Sequence, residues 1–305
     1  MDGRSGRKQA KFMKIATSLN IRPSYLTEGE LMRRIAAAGF DAVDFPFCDL
    51  LSLLDWRDEA AADAYLDALG EAASAAGLSW AQAHGPMFNM FGESEKDVFA
   101  RNLCVPALRA CGRLGAPWMV LHPETMPGAF DAAHLDQLLR RNVEFFRGLL
   151  PACERYGVGI AIENLPEPMG GRGAVRCFGG TPGELIQMVD ALDHPLVGAC
   201  WDTGHAQINR LDQRAGIAAL GPRLKTLHIQ ENDGRGDDHM LPFANGPQGV
   251  DWTAVTAGLA VAGYEGMMTY EAHNAFRAMP EPLFDDALSL AARIARYLAD
   301  HAGQV

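Results

Sequence analysis

Short apolar runs alternate with longer amphipathic stretches along this chain, and from residue 14 onward the alternation repeats eight times. The apolar runs cover residues 14–20, 41–46, 78–84, 118–122, 158–164, 197–202, 224–230 and 266–271 and read as strands. Between them, the pattern predicts helices over 28–38, 56–76, 95–114, 131–156, 213–220 and 282–299, with two more opened by Thr181-Pro182 and Asp251-Trp252. Gly39 and Gly77 end the first two helices, and Thr181-Pro182 supplies an N-cap with a first-turn proline. Strands that alternate with helices pair in parallel, and eight such units over 305 residues imply an α/β fold, a single (β/α)8 TIM barrel. An open doubly wound sheet would carry a glycine-rich first turn; the turn here, Asn-Ile-Arg-Pro-Ser over 20–24, has none. No linker or low-complexity tract divides the chain. It reads as a disordered leader over 1–13 followed by one barrel domain over 14–305.

A parallel barrel aims the carboxyl ends of its strands at one cavity, so the last residues of each run carry the most information. His84 ends the third run, His122 the fourth, Glu163 the fifth, Asp202 with His205 the sixth, His228 the seventh and Glu271 the eighth. The loop after the seventh adds Asp237, Asp238 and His239. Any one of these alone reads best as a hydrogen-bonded, partly buried residue. Six consecutive strands ending this way do not, because clustered buried charge is costly without a counter-ion. A divalent cation answers that cost. Glu163, Asp202, His228 and Glu271 offer three carboxylates and one imidazole, a hard set suited to Mn2+, Mg2+ or Co2+, with Zn2+ open but less natural.

Composition removes other classes. A net charge of −11 argues against a general nucleic-acid binder. No run of about eighteen apolar residues exists, so no membrane span is expected. Six cysteines without C-x-x-C spacing, behind an N-terminus that lacks an apolar signal segment, point to reduced thiols in a cytoplasmic protein.

Ile162-Glu-Asn-Leu165, Trp201-Asp-Thr-Gly-His205, Leu227-His-Ile229 with Asp238-His239, and Tyr270-Glu271 resemble the sugar isomerase/epimerase superfamily of xylose isomerase-like TIM barrels, over about residues 14–298. In its ketose 3-epimerase and hydroxypyruvate isomerase branches a Glu, an Asp, a His and a second Glu hold one metal ion. The resemblance maps these onto Glu163, Asp202, His228 and Glu271 and makes Glu163 and Glu271 the acid/base pair. It implies that His205 meets the substrate; His84, His122, Arg235 and His239 join it as candidate substrate contacts, and Asp237 and Asp238 as candidate additional metal ligands. The implied substrate is a ketose, a sugar phosphate or a small hydroxy-keto compound, and the implied assembly a homodimer or homotetramer. In the implied chemistry the metal stabilises an enediolate. One carboxylate removes the α proton, and the other returns it to the opposite face or to the next carbon.

Other readings stay open: a metal-dependent dehydratase or lyase on a related polyol or keto acid, a metal-binding barrel without catalysis, and an endonuclease-four-like tri-zinc apurinic-site phosphodiesterase. The nine zinc ligands of the last can be traced as His84, His122, Glu163, Asp202, His205, His228, Asp237, His239 and Glu271. A nuclease must also grip phosphates with basic residues. The strand-end loops offer only Arg22, Arg172, Arg176 and Arg235, so the isomerase or epimerase reading leads. Loop 238–249 departs from the Pro-Gly-x-Gly common in the family, and the glycines of 169–180 suggest a lid. Trp80, Phe88, Trp118 and Trp201 are candidates for either sugar stacking or core packing.

Overall fold

In a computed structural model the described residues are 13–126, 131–166, 177–277 and 279–302. Each of the eight apolar runs supplies a strand: β1 (Ile15–Ser18), β2 (Ala42–Pro46), β3 (Ser79–His84), β4 (Trp118–Leu121), β5 (Gly159–Glu163), β6 (Val197–Asp202), β7 (Leu224–His228) and β8 (Met268–Tyr270). Neighbours pair in parallel in the order β7-β6-β5-β4-β3-β2-β1-β8. A parallel bridge between Ile229 and Tyr270 joins the two ends, with Ile229 N donating to Thr269 O at 2.8 Å. The sheet is a nearly closed (β/α)8 barrel, as the alternation predicts.

The helices are α1 (Glu28–Ala38), α2 (Glu59–Ala76), α3 (Glu95–Arg101), α4 (Cys104–Leu114), α5 (Ala132–Tyr156), α6 (Pro182–Leu192), α7 (Thr203–Ile208), α8 (Gln213–Leu220), α9 (Trp252–Ala262), α10 (Asn274–Arg277) and α11 (Glu281–Ala302). Local chemistry sets their ends. Thr27 and Glu30 form a capping box at α1, which Gly39 closes at φ 105°, a left-handed position that costs glycine little. The helix expected over 95–114 is two helices, because Pro106 cannot donate to a carbonyl four residues back. Placed in the first turn of α4, that proline is harmless. The sixth strand hands over to a short helix, α7, rather than to a loop.

Alternation along the strands sorts side chains into two cores. Ile15, Val43, Phe45, Ile162, Trp201, Leu227 and Tyr270 face outward and pack with the helices. Small residues fill the interior: Ala16, Ala42 and Ala81 in one cluster, Val120, Ala161 and Cys200 in another. Trp80 and Trp201 belong to the outer core, Phe88 packs edge-on against Phe145, and Trp118 joins the inner cluster. None of these four is among the groups gathered at the strand-end site described below. The expected leader lies outside the described residues as far as residue 12, as does the expected lid, 169–180, as far as residue 176. No helix among the described residues is long and apolar enough to cross a membrane.

Candidate metal centre

Above the small interior residues, the next inward-facing position of each strand carries chemistry. Ala161 is followed by Glu163, Cys200 by Asp202, Thr226 by His228 and Thr269 by Glu271, while the residues between them pack outward. Register sets Asp202 opposite His228 and Glu163 opposite Cys200. Glu163, Asp202, His228 and Glu271 are all buried, and each brings a potential ligand atom within 4.8 Å of the other three.

His228 Nδ1 lies 2.9 Å from Glu163 Oε1 and 3.2 Å from Glu271 Oε2. Asp202 caps α7, its Oδ1 accepting from His205 N at 2.6 Å. Each carboxylate nevertheless keeps one buried oxygen without a hydrogen bond: Glu163 Oε2, Asp202 Oδ2 and Glu271 Oε2. His122 Nε2 approaches the first of these to 3.2 Å but is not aligned for a hydrogen bond. An unpaired buried polar atom costs about 1–3 kcal/mol, so three meeting at one point call for a ligand. Three oxygens and one imidazole fit a divalent cation of hard character.

The backbone around the cluster is braced by amides. Asn164 Oδ1 accepts from Asp202 N at 2.7 Å and its Nδ2 donates to Asp202 O at 2.9 Å, locking β5 to β6. Its own carbonyl sits 2.8 Å from His205 Nδ1. Thr203 Oγ1 donates to Gln230 O at 2.7 Å, and a side chain on Gly204 would collide with the Gln230 amide. The Asp-Thr-Gly-His segment is therefore shaped by close approach as much as by chemistry.

Charge in the cluster is unevenly held. Burial raises the Glu163 carboxyl, but the charge of His228 and the close approach of His122, His205 and His228 overcome it and hold it well below the usual range. Glu271 goes the same way under His228 and His84. Asp202 moves oppositely, pushed up to about 7 by burial, with Glu163, Glu271 and Asp237 adding to it against His205. Burial disfavours charge on the imidazoles, yet His205 and His228 are raised well above the ordinary range by the anions around them.

The other anticipated residues divide into two groups. His84 joins the cluster with Nε2 at 3.1 Å from Glu271 Oε1, and His122 touches Glu163. His205 and His239 meet at Asp237, whose Oδ2 lies 3.3 and 3.0 Å from their Nε2 atoms. Those two imidazoles hold the Asp237 carboxyl low against its burial. Arg235 and Asp238 stand apart. The Arg235 side chain is 86% exposed and reaches only Asp233, at 3.8 Å, while Asp238 is exposed on the loop.

Four contributors escape a reading of strand ends: Asp44, Asn164, Gln230 and His273. Asp44 sits two residues before the end of β2, and Asn164 and Gln230 act through backbone bonds. His273 stacks on His239 with centroids 4.3 Å apart and contacts Asn20 at 3.3 Å, a partner 253 residues away. Its place two residues after Glu271 was the available signal.

The profile of the xylose isomerase-like TIM barrel family matches residues 32–294. The protein y4fM of Sinorhizobium fredii is 27% identical over 159 residues, 52% of this chain. The chain spans only between 48% and 64% of the lengths of the curated relatives it matches. A D-psicose 3-epimerase of Clostridium cellulolyticum, solved with D-tagatose, superposes at a TM-score of 0.69 over 94% of this chain and 99% of its own, with 18% identity. The 3-keto-D-glucoside 4-epimerase of E. coli does so at 0.67, over 92% of this chain and 98% of its own, also at 18%. At such identities these likenesses are likenesses of fold.

Proposed function

The chain belongs to the xylose isomerase-like TIM barrel family, and we propose that it is a divalent-metal-dependent isomerase or epimerase acting on a ketose or related hydroxy-keto sugar. One observation carries this reading: three carboxylates from three strands, each with an unpaired buried oxygen, converge beside His228. Glu163, Asp202, His228 and Glu271 would hold the ion. When bound, a divalent cation supplies Lewis-acid stabilisation of the negative charge that a substrate oxygen gains as its α proton leaves.

The protein's own groups supply the proton transfer. Glu163 and Glu271 come from opposite sides of the cluster, β5 and the end of β8, and each has one oxygen engaged by imidazoles and one unpaired. With one oxygen of each glutamate turned to the ion, the carboxylate's second oxygen would take a proton from a substrate carbon and return it. His122 and His239, both only partly buried, are placed to meet substrate hydroxyls. The names of the two structural neighbours agree in kind: both specify epimerisation at a carbon next to a ketone.

Solvent-deuterium exchange tests the proposal. The protein, supplied with Mn2+, Mg2+ or Co2+ in D2O, is incubated with D-fructose, D-psicose, D-tagatose and a 3-keto-glucoside. Deuterium entering the carbon next to the carbonyl, with formation of the epimer or isomer, is the expected result. Absence of exchange into every ketose with every ion would overturn it, and release of water to form an unsaturated product would favour the dehydratase alternative.

A further inference from the structure

We infer that Asp44 and His84 are positioning residues for Glu271, an inference that rests on Glu271 being one of the two acid/base carboxylates. The register of β2 against β3 shifts between Val43 and Asp44, so that Asp44 faces Gln82 rather than Ala81. Such a shift re-aims side chains, and here it leaves Asp44 inside the barrel, fully buried. Asp44 Oδ1 lies 2.8 Å from His84 Nδ1 and accepts from Ser18 Oγ at 3.3 Å. With its Nδ1 side fixed, the ring sets Nε2 3.1 Å from Glu271 Oε1, an ion-pair contact rather than an aligned hydrogen bond. The ring also lies flat on His228, with centroids 4.3 Å apart and planes within 5° of parallel, so it cannot swing without breaking that stack.

A competing reading is a second metal site, since Asp44, His84 and His228 also bring potential ligand atoms together. Ring stacking opposes it. An imidazole binds a metal in its own plane, and two parallel rings 4.3 Å apart cannot both direct a nitrogen in-plane at one ion. The line Asp44–His84–Glu271 is thus a support: it sets the orientation of the Glu271 carboxylate that must meet the substrate. Glu163 has no counterpart of it, being held directly by His122, His205 and His228. His228 contacts both glutamates, but the Asp44–His84 pair reaches only Glu271, so replacing it leaves the direct contacts of Glu163 in place.

The test uses full-length Asp44→Ala, Asp44→Asn and His84→Gln proteins loaded with the ion the wild type uses, assayed with both epimers of the ketose pair it interconverts. Loss of an orienting partner of this kind costs about 10–100-fold. For Asp44→Ala we expect kcat to fall by that factor with KM and metal content unchanged, and Asp44→Asn to recover part of it. The distinguishing readout is the ratio of exchange to inversion. Starting from the epimer whose proton Glu163 removes, deuterium wash-in without inversion should exceed product formation at least about tenfold more than in wild type, because the return by Glu271 is impaired while Glu163 is intact. A kcat within about threefold of wild type, or parallel losses of exchange, inversion and bound metal, would overturn the positioning role. If Asp44→Ala fails to fold, Asp44→Asn and His84→Gln carry the same ratio test. A wild-type protein that exchanges no α proton would instead remove the epimerase reading, and this inference with it.

Discussion

Glu231 and Glu271 are carboxylates at the ends of two adjoining strands, both buried, at 0% and 6% exposure, and they do opposite things. Glu231 Oε2 accepts from Trp252 Nε1 at 2.6 Å and from Phe243 N at 2.7 Å, and Oε1 accepts from Asn245 N at 2.5 Å. It is fully satisfied, and it straps the loop before α9 back onto the barrel, where the Glu231 backbone also pairs with Met240. Glu271 meets imidazoles only as ion pairs, His84 Nε2 at 3.1 Å from Oε1 and His228 Nδ1 at 3.2 Å from Oε2, and Oε2 has no hydrogen bond. Burial alone therefore does not mark a carboxylate as functional. Whether its donors are complete does: a closed set of neutral N–H donors makes an anchor, and an open set leaves a reactive or ligand-binding atom.

The comparison breaks most sharply by mutation of the open carboxylates. Glu163→Gln and Glu271→Gln should each lower turnover in the exchange assay by about 10²–10⁴-fold, the usual worth of a general acid or base. Each also holds the ion, so the melting temperature of either variant should fall by no more than removing the ion lowers that of the wild type; full activity in either variant would end the two-carboxylate account. The closed carboxylate should behave in the reverse sense. Glu231→Ala orphans three donors at about 1–3 kcal/mol each, so chemical denaturation should show a loss of about 3 kcal/mol or more, with metal content per folded chain unchanged. A Glu231→Ala protein as stable as wild type would show that the loop is held elsewhere.

Smaller effects sharpen the same contrast. Removing the ion with a chelator should lower the melting temperature, by the equivalent of about 2.7 kcal/mol if the ion had been present at a hundred times its dissociation constant. Asp202→Asn should abolish that response while Glu231→Ala keeps it. Acid should act through Asp202, whose carboxyl is pushed up to about 7 by burial and its anionic neighbours. A cation needs that group ionised, and below about 7 the proton competes for it. Metal affinity measured by titration calorimetry should thus fall by up to about tenfold per pH unit below 7; equal affinities at pH 8 and pH 6 would contradict this.

Much of the barrel was legible because its signals are local. The helix over 28–38 and the strand over 197–202 appear with the expected bounds, fixed by a capping box, a left-handed glycine and an unbroken apolar run. The split between α3 and α4 was written in Pro106, yet helical spacing across 95–114 hides it. At the site, the residues that terminate strands could be named because a parallel barrel aims them at one point. Asp44 could not, because it stands inside a strand and a register shift decides which way it faces. Glu231 reads as one more loop acid until Trp252, twenty-one residues on, is seen to donate to it. Arg235 is a candidate contact from its place after β7, and its side chain lies in solvent beside Asp233, because nothing in a loop's sequence fixes the direction it takes.

The central claim is a single cation held by Glu163, Asp202, His228 and Glu271, and elemental analysis tests it most directly. Protein prepared without chelator, then equilibrated with a mixture of Mn2+, Co2+, Mg2+ and Zn2+ and desalted, should retain one divalent ion per chain. Asp202→Asn and His228→Ala proteins should retain none. Two or three zinc ions per chain would contradict the account and bring the zinc-cluster nuclease forward, with an abasic-site duplex as the next substrate. No retained ion in folded wild-type protein would contradict it outright.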